Sequence, residues 1–468
     1  MATQLPESFT QRMQAQLGDE FEAFQQSLSE AAVSSIRVNS AKSKNPVNGK
    51  AVPWCQTGFY LDERPFYTLD PFLHAGVYYV QEASSMFLEQ AFCQLPNEPL
   101  KVLDLCGAPG GKSTHIVSLL PENSLLVSNE VIRSRAVILS ENLKKWGNPN
   151  IIVTNNDPKD FATFEGQFDV LVVDAPCSGE GLFRRDENAI AEWSPENTTL
   201  CAQRQQRILA DVWPALKPGG VLIYSTCTYN PGENEENLKW LNEFAEVENT
   251  SLPVKADWGV TETEAAGLSG YRFYPHKTKG EGFFMAVVRK LDGETSRIPK
   301  KLKSAAFSVA SSSEKALVEG WLTGDNLDIF KLNEALFAFP SKYAAVLTWL
   351  QKGLRIVHAG VKIGEQKKKE VVPVHELALS PILQRGTFPE IELTLNDAIK
   401  FLHRDEIRPE AKERGWHLLT YQDIPLGWAK NLGNRFNSNY PKEWRIRMDI
   451  TEYMAGKLEE EKAKFPIR

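Results

Sequence analysis

From Leu100 to about residue 290 the chain repeats one pattern, a short unbroken apolar run followed by a longer amphipathic stretch. The runs are Lys101 to Cys106, Leu125 to Glu130, Ile151 to Thr154, Phe168 to Asp174, Val221 to Thr226 and Phe283 to Val288. A strand that is apolar on both faces must be covered on both, and helices alternating with parallel strands provide that cover. The pattern therefore predicts an α/β fold, a parallel sheet wrapped by helices. Ligands in such sheets bind beyond the carboxyl ends of the strands, so the residues just after each run are where chemistry is expected.

At 468 residues the chain has room for roughly three domains. Residues 1–95 read as mostly helical, with apolar positions at helical spacing through Phe21, Phe24 and Leu28 and again through Tyr79, Ala83, Met86, Phe87 and Ala91. The alternating region occupies 96–293, and a Lys- and Ser-rich stretch, 294–313, reads as a linker. A connecting domain is expected over 314–389. A small β-rich domain, punctuated by Gly415, Trp416, Gly427 and Trp428, is expected over 390–468.

Six cysteines without a CxxC pair and seven histidines without HxxxH give no zinc spacing, so no metal is expected. No leader-like N-terminus and no apolar window near ~18 residues occur, which predicts a cytoplasmic protein with free thiols and no membrane partner. The net charge of −7 at first argues against a nucleic-acid partner. That total is an average: residues 1–300 carry 27 Lys+Arg against 38 Asp+Glu, and the remainder 26 against 22. A mildly basic tail is where such a partner is expected to be held.

The first run leads into Cys106, Gly107, Ala108, Pro109, Gly110, Gly111 and Lys112, then an apparent helix. Glycines let a ligand approach the backbone, and the helix start offers free amides. A phosphate-binding P-loop needs four residues between its first Gly and Gly-Lys-Ser/Thr; from Gly107 the spacing is one short, which disfavours a nucleotide hydrolase. The alternative is an S-adenosylmethionine pocket, in which Glu130 after the second run accepts from ribose hydroxyls and Asp157 after the third lies near adenine. Asp174, Ala175, Pro176, Cys177 and Ser225, Thr226, Cys227 then place a thiol at each of two further strand ends. A thiolate is a strong, soft nucleophile, and C5 of cytosine becomes reactive only after something adds to C6. One such cysteine reads as core; two beside polar turns read as function.

The blocks CGAPGGK (Cys106 to Lys112), DAPCSGEG (Asp174 to Gly181) and STCTYNPGENE (Ser225 to Glu235) resemble those of the Fmu/NSUN RNA cytosine-5 methyltransferases. The resemblance implies a Rossmann-like methyltransferase domain using S-adenosylmethionine, with Cys227 attacking C6, Cys177 assisting product release and Asp174 contacting the base at N3 beside the methyl donor. It makes Cys106 to Lys112, Glu130, Asp157 and Asp174 the cofactor pocket, and Arg184 and Arg185 candidates for RNA contact, with a salt-bridged helix start the equal alternative for those two arginines. Cytosine-5 DNA enzymes attack with the Pro-Cys cysteine and lack the second, and amino-group enzymes carry a different motif at Asp174 to Cys177. The N-terminal region does not resemble the Fmu-type helical extension. The tail, Gly427 to Arg435 and Tyr440 to Arg445, resembles the PUA-like, RNA-binding end of bacterial RsmF-type enzymes. In that tail Lys430, Arg435, Lys442, Arg445 and Arg447 are the phosphate-contact candidates, while Trp416 and Trp428 are expected mainly in core. The RsmF-type likeness implies 16S ribosomal RNA as substrate, at cytosine 1407 near the decoding site, with the assembled small subunit as partner and the enzyme a monomer. The alternatives are transfer RNA as substrate, or an RNA-binding assembly factor using the fold as a scaffold.

Overall fold

A computed structural model describes residues 5–299, 306–324, 326–368 and 370–467. Five strands form its parallel core: β1 (Lys101–Asp104), β2 (Leu125–Asn129), β3 (Ile151–Thr154), β4 (Phe168–Asp174) and β5 (Leu216–Thr226). They lie in the order β3-β2-β1-β4-β5, each neighbouring pair parallel. Alternate residues feed two separate cores, which is why the runs show no polar alternation. Leu103, Val127, Ile152, Leu171 and Leu222 face one side. Val102, Leu126, Val153, Val172 and Ile223 face the other. Helices α1 (Gly111–Leu119), α2 (Arg133–Trp146) and α3 (Pro195–Val212) provide cover. Chain order reverses between β1 and β4, and the connections leaving there in opposite directions open a crevice above the sheet.

The last apolar run departs from the parallel expectation. Strand β6 (Phe283–Lys290) pairs antiparallel with β5, and Leu268–Phe273 and Thr261–Ala265 continue antiparallel beyond it. Burial on both faces gives the same run whichever way a strand points, so the pattern carried no directional signal.

The mostly helical reading of 1–95 needs correction in its middle. Helices occupy Glu7–Leu17 and Phe21–Ser27, but Ser35–Val38, Lys50–Ala51, Gly58–Tyr60 and Tyr78–Val80 build a four-stranded antiparallel sheet. These strands hold only two to four residues each, too few to show a period. The sheet braces the catalytic region through the buried Arg37, which donates to Gln81 Oε1 at 2.9 Å and Thr114 Oγ1 at 2.6 Å on α1, and stacks 4.5 Å above Trp146.

The stretch read as a linker is tied down at its start, where the Ser296 amide donates to the Glu165 carbonyl at 2.9 Å. Residues 300–305 of it lie outside the described residues. Ser308–Val309 already belongs to a five-stranded antiparallel sheet. The connecting segment is joined to the catalytic sheet as well: Ile356–Ala359 adds antiparallel to β3 as an outer strand, and Leu347, Leu350 and Leu354 enter the core that holds Leu171.

The tail folds as four strands and a helix, Glu390–Glu392, Leu395–His403, Gly415–Tyr421, Ile424–Asn431 and Phe436–Ser438, followed by the short helical segments Tyr453–Lys457 and Leu458–Lys462. Its apolar face packs on the N-terminal sheet, with Ile391, Ile399, Phe401 and Tyr421 against Ile36, Val38, Phe72 and Tyr78. Trp428 is fully buried and donates from Nε1 to the Val374 carbonyl at 2.8 Å. Trp416 is only half-buried, with Lys430 Nζ 5.6 Å above its ring. Among the described residues no helix is long and apolar enough to cross a membrane.

Candidate active site

Strand β1 ends at Asp104, whose Oδ2 accepts from Ser113 Oγ at 2.6 Å while Oδ1 has no partner among the described residues. Burial raises this carboxyl to about 7, against the opposing effect of the Ser113 hydroxyl. The loop that follows needs its glycines. A Cβ on Gly107 would lie 2.3 Å from Ser128 Oγ, and Gly110 has φ +121°. Lys112, on the first turn of α1, reaches across to Asp174 at the end of β4, with Nζ 2.9 Å from Oδ2. Burial opposes the ammonium charge, but the adjacent Asp174 carboxylate outweighs it and holds the Lys112 pKa above its ordinary value. Ser225 Oγ donates to the other Asp174 oxygen at 2.8 Å.

After β2, Glu130 Oε1 accepts from the Ile132 amide at 2.9 Å and Oε2 faces Arg135 at 3.3 Å. After β3, Asp157 caps the turn Pro158–Thr163, accepting from the Lys159 amide at 3.2 Å. Strand ends and loops together enclose a cleft of about 470 Å³ at the β1/β4 reversal. Cys106, Ala108, Glu130, Asp157, Asp174, Cys177 and Cys227 all line it. Gly107, Pro109, Gly110, Gly111 and Lys112 do not; they shape the loop behind its wall, with the Pro109 carbonyl pinned by Asn142 Nδ2 at 2.7 Å.

The two cysteines meet inside the cleft, Sγ to Sγ 3.1 Å, and the Cys227 amide points at Cys177 Sγ at 3.3 Å. The contact with Cys227, with burial adding to it, pushes the Cys177 thiol well above its ordinary value, so Cys177 stays a thiol at neutral pH.

Three buried carboxyl and amide side chains set the cysteine loops. Glu233 accepts from the Ser178 amide at 2.9 Å, Ser178 Oγ at 2.5 Å and Gln205 Nε2 at 3.0 Å. Glu180 accepts from Arg12 at 2.6 Å, Trp193 Nε1 at 2.9 Å and the Tyr229 amide at 3.1 Å. Asn234 accepts from Thr226 Oγ1 at 2.6 Å and donates to the Thr228 carbonyl at 3.0 Å. The sequence reading assigned these residues no role, although all three sit inside the blocks around the cysteines. Arg12 was out of reach, being 168 positions from its partner.

Of the two readings open for Arg184, RNA contact or a salt-bridged helix start, the structure shows the salt bridge. Its side chain is 3% exposed and forms a forked pair with Glu281, Nε 2.9 Å and Nη2 2.8 Å from the two carboxylate oxygens. Arg185 shares Glu281 at 2.8 Å but is 33% exposed, so of the two it is the one left facing solvent. Breaking a buried pair strands the other charge, so Arg184→Ala is expected to cost about 3–5 kcal/mol. Arg185→Ala should cost about 1 kcal/mol or less. Urea denaturation of the two variants beside the parent checks the difference. In the tail, Arg435, Lys442, Arg445 and Arg447 are exposed, and Lys430 is half-buried over Trp416.

One cluster that spacing did not foresee lies behind α1. Cys55, Glu89 and His115 come from separate segments, are all buried and form a set with metal-ligand chemistry. His115 Nε2 lies 3.2 Å from Glu89 and 3.7 Å from Cys55 Sγ. Burial lowers the imidazole to about 4, and a neutral histidine donating to Glu89 accounts for the contacts.

Comparison with known proteins agrees with this arrangement along the chain. Residues 92–289 match the family model of the 16S rRNA methyltransferase RsmB/F, residues 5–83 that of the N-terminal domain of RsmF, and residues 388–446 that of the RsmF PUA domain. Ribosomal RNA small subunit methyltransferase F of Salmonella heidelberg (strain SL476) is 32% identical over 409 residues, covering 84% of each protein. The protein of the same name from Escherichia coli (strain K12) is 31% identical over 412 residues, again with 84% of each covered. Among solved structures, a methyltransferase homolog protein from Pyrococcus horikoshii is similar at 29% identity and a TM-score of 0.53, covering 61% of this chain and 95% of that one. With the fold, the site and all three segments in agreement, the chain belongs to the RsmF group of the RsmB/F family of 16S rRNA methyltransferases.

Proposed function

We propose that this protein methylates C5 of one cytosine in 16S ribosomal RNA, 1407 by its likeness to the RsmF-type enzymes, on the assembled small subunit. The observation that carries the reading is the pair of thiols 3.1 Å apart, in a cleft shared with an Asp174 carboxylate held by Lys112. The cleft suits S-adenosylmethionine: Glu130 and Asp157 offer carboxylates to hydroxyl and amino groups, and the exposed side chains of Val131 and Ile132 give apolar surface for a base. When bound, S-adenosylmethionine supplies an electrophilic methyl group.

The chain's own residues do the rest. The target base is turned out of its helix into the cleft. Cys227 adds to C6 as thiolate, and the electron pair so released makes C5 nucleophilic. Asp174 lies at the N3 edge of the ring, where a proton shared between its carboxyl group and N3 neutralises the charge that addition places on the ring, and Lys112 keeps that carboxyl group oriented. After C5 has been methylated, its proton is removed to a base, the C6–S bond breaks, and Cys227 leaves. Cys177, protonated beside the departing sulfur, assists that last step.

Bisulfite sequencing of total RNA from cells with and without the gene tests the substrate. The expected result is one protected cytosine in 16S RNA that becomes convertible when the gene is removed. Loss of protection in transfer RNA, or no loss anywhere, overturns the assignment.

A further inference from the structure

Six charged side chains line the cleft: Glu130, Arg135, Asp157, Asp174, Arg204 and Arg207. Four are engaged. Glu130 and Arg135 pair with each other, Asp174 holds Lys112, and Asp157 caps its turn. Arg204 and Arg207 are exposed, and no hydrogen bond, ion pair or ring contact engages either guanidinium among the described residues. Both lie on α3, whose neighbouring residues Gln205, Ile208 and Leu209 are buried. Leu200, 57% exposed, sits one turn earlier on the same helix face, so this strip is open to solvent among the described residues. At the cleft wall Leu182 is 37% exposed.

An arginine is costly to order and gains most from a forked contact with an oxyanion. Two of them left without a partner at the edge of the cleft are placed to take an anion from outside. Residues three apart on a helix stand about 5–6 Å apart at Cβ, within reach of successive phosphates of one strand. We propose that Arg204 and Arg207 bind adjacent phosphates of the RNA strand that carries the target nucleotide, holding it across the mouth of the cleft. The inference rests on the proposed RNA substrate, and it adds a grip beside the reacting base to the one expected in the basic tail. Tail contacts set which RNA is engaged, whereas these two arginines set where its strand lies relative to Cys227.

The test uses the full-length protein carrying Arg204→Gln and Arg207→Gln together, compared with the parent, with Arg204→Lys/Arg207→Lys, and with Lys239→Gln as a distant surface control. RNA affinity is measured across a range of salt on whichever RNA the parent methylates, and S-adenosylmethionine affinity is measured by calorimetry. The Gln pair is expected to weaken RNA binding about 10-fold or more at low salt and to reduce the slope of log affinity against log salt by about 1.4, that is, ~0.7 for each single-strand phosphate contact. KM for RNA should rise more than kcat falls, the Lys pair should recover most of the slope, and the control should match the parent. An unchanged slope overturns the proposal, as does a loss confined to S-adenosylmethionine affinity, which would give these arginines to the cofactor instead. A parent that methylates a different RNA refutes the ribosomal reading and leaves the slope comparison to be made on that RNA.

Discussion

Cys227→Ala is expected to lower the single-turnover rate of methyl transfer on the order of 10⁴-fold or more, the scale seen when a covalent nucleophile is removed. Without addition at C6, C5 is not nucleophilic, and neither Asp174 nor Cys177 stands in for the lost bond. The fold should tolerate the change. Cys227 is half-buried, the substitution removes one sulfur, and the Glu180, Glu233 and Asn234 bonds that set its loop involve neighbouring residues. Radiolabelled methyl incorporation into the RNA, with thermal unfolding measured alongside, checks both halves. Residual turnover within tenfold of the parent would move the nucleophile elsewhere. The same variant addresses the scaffold reading: if the protein acts chiefly as an assembly factor, cells carrying only Cys227→Ala should assemble small subunits normally without the mark.

Cys177→Ala is expected to act on the opposite side of the reaction. Its thiol stands 3.1 Å from Cys227 Sγ and is held protonated by that contact and by burial. Removing it leaves addition and methylation intact and slows the departure of Cys227. Turnover should stop after about one cycle, a drop on the order of 10²-fold or more in steady-state rate, in the range typical of a lost acid or base. The first cycle should run near the parent rate. A progress curve with one equivalent of product followed by a stall distinguishes this from Cys227→Ala, which should give no product in the first cycle.

How much of this was legible depends on what kind of signal each part left. The parallel strands could be read because Leu103, Val127, Ile152 and Leu171 face one core while Val102, Leu126 and Val172 face another, and two-sided burial writes an unbroken apolar run. The site was legible for a related reason: Glu130, Asp157, Asp174, Cys177 and Cys227 each end or follow a strand, and sheet topology alone brings strand ends together. The N-terminal sheet left no such trace, since Gly58–Tyr60 and its partners are too short to show a period. Strand β6 showed its burial but not its direction. Ile356–Ala359 reads in sequence as part of a separate domain, because nothing local tells a strand which sheet it will join. For Arg184 an RNA contact and a salt bridge read alike in sequence, because the partner that decides between them, Glu281, lies 97 positions away. Arg204 and Arg207 look in sequence like any solvated helix face; only the cleft beside them gives their lack of a partner a meaning.

The central claim is the division of labour between the two cysteines, and denaturing electrophoresis with intact mass measurement tests it most directly. Cys177→Ala protein is incubated with S-adenosylmethionine and substrate RNA, then denatured. The expected result is a stable protein–RNA species that carries one added methyl group, and its complete absence in the Cys177→Ala/Cys227→Ala double variant. No covalent species from a preparation in which the parent methylates the same RNA, or an adduct that survives loss of Cys227, would contradict it.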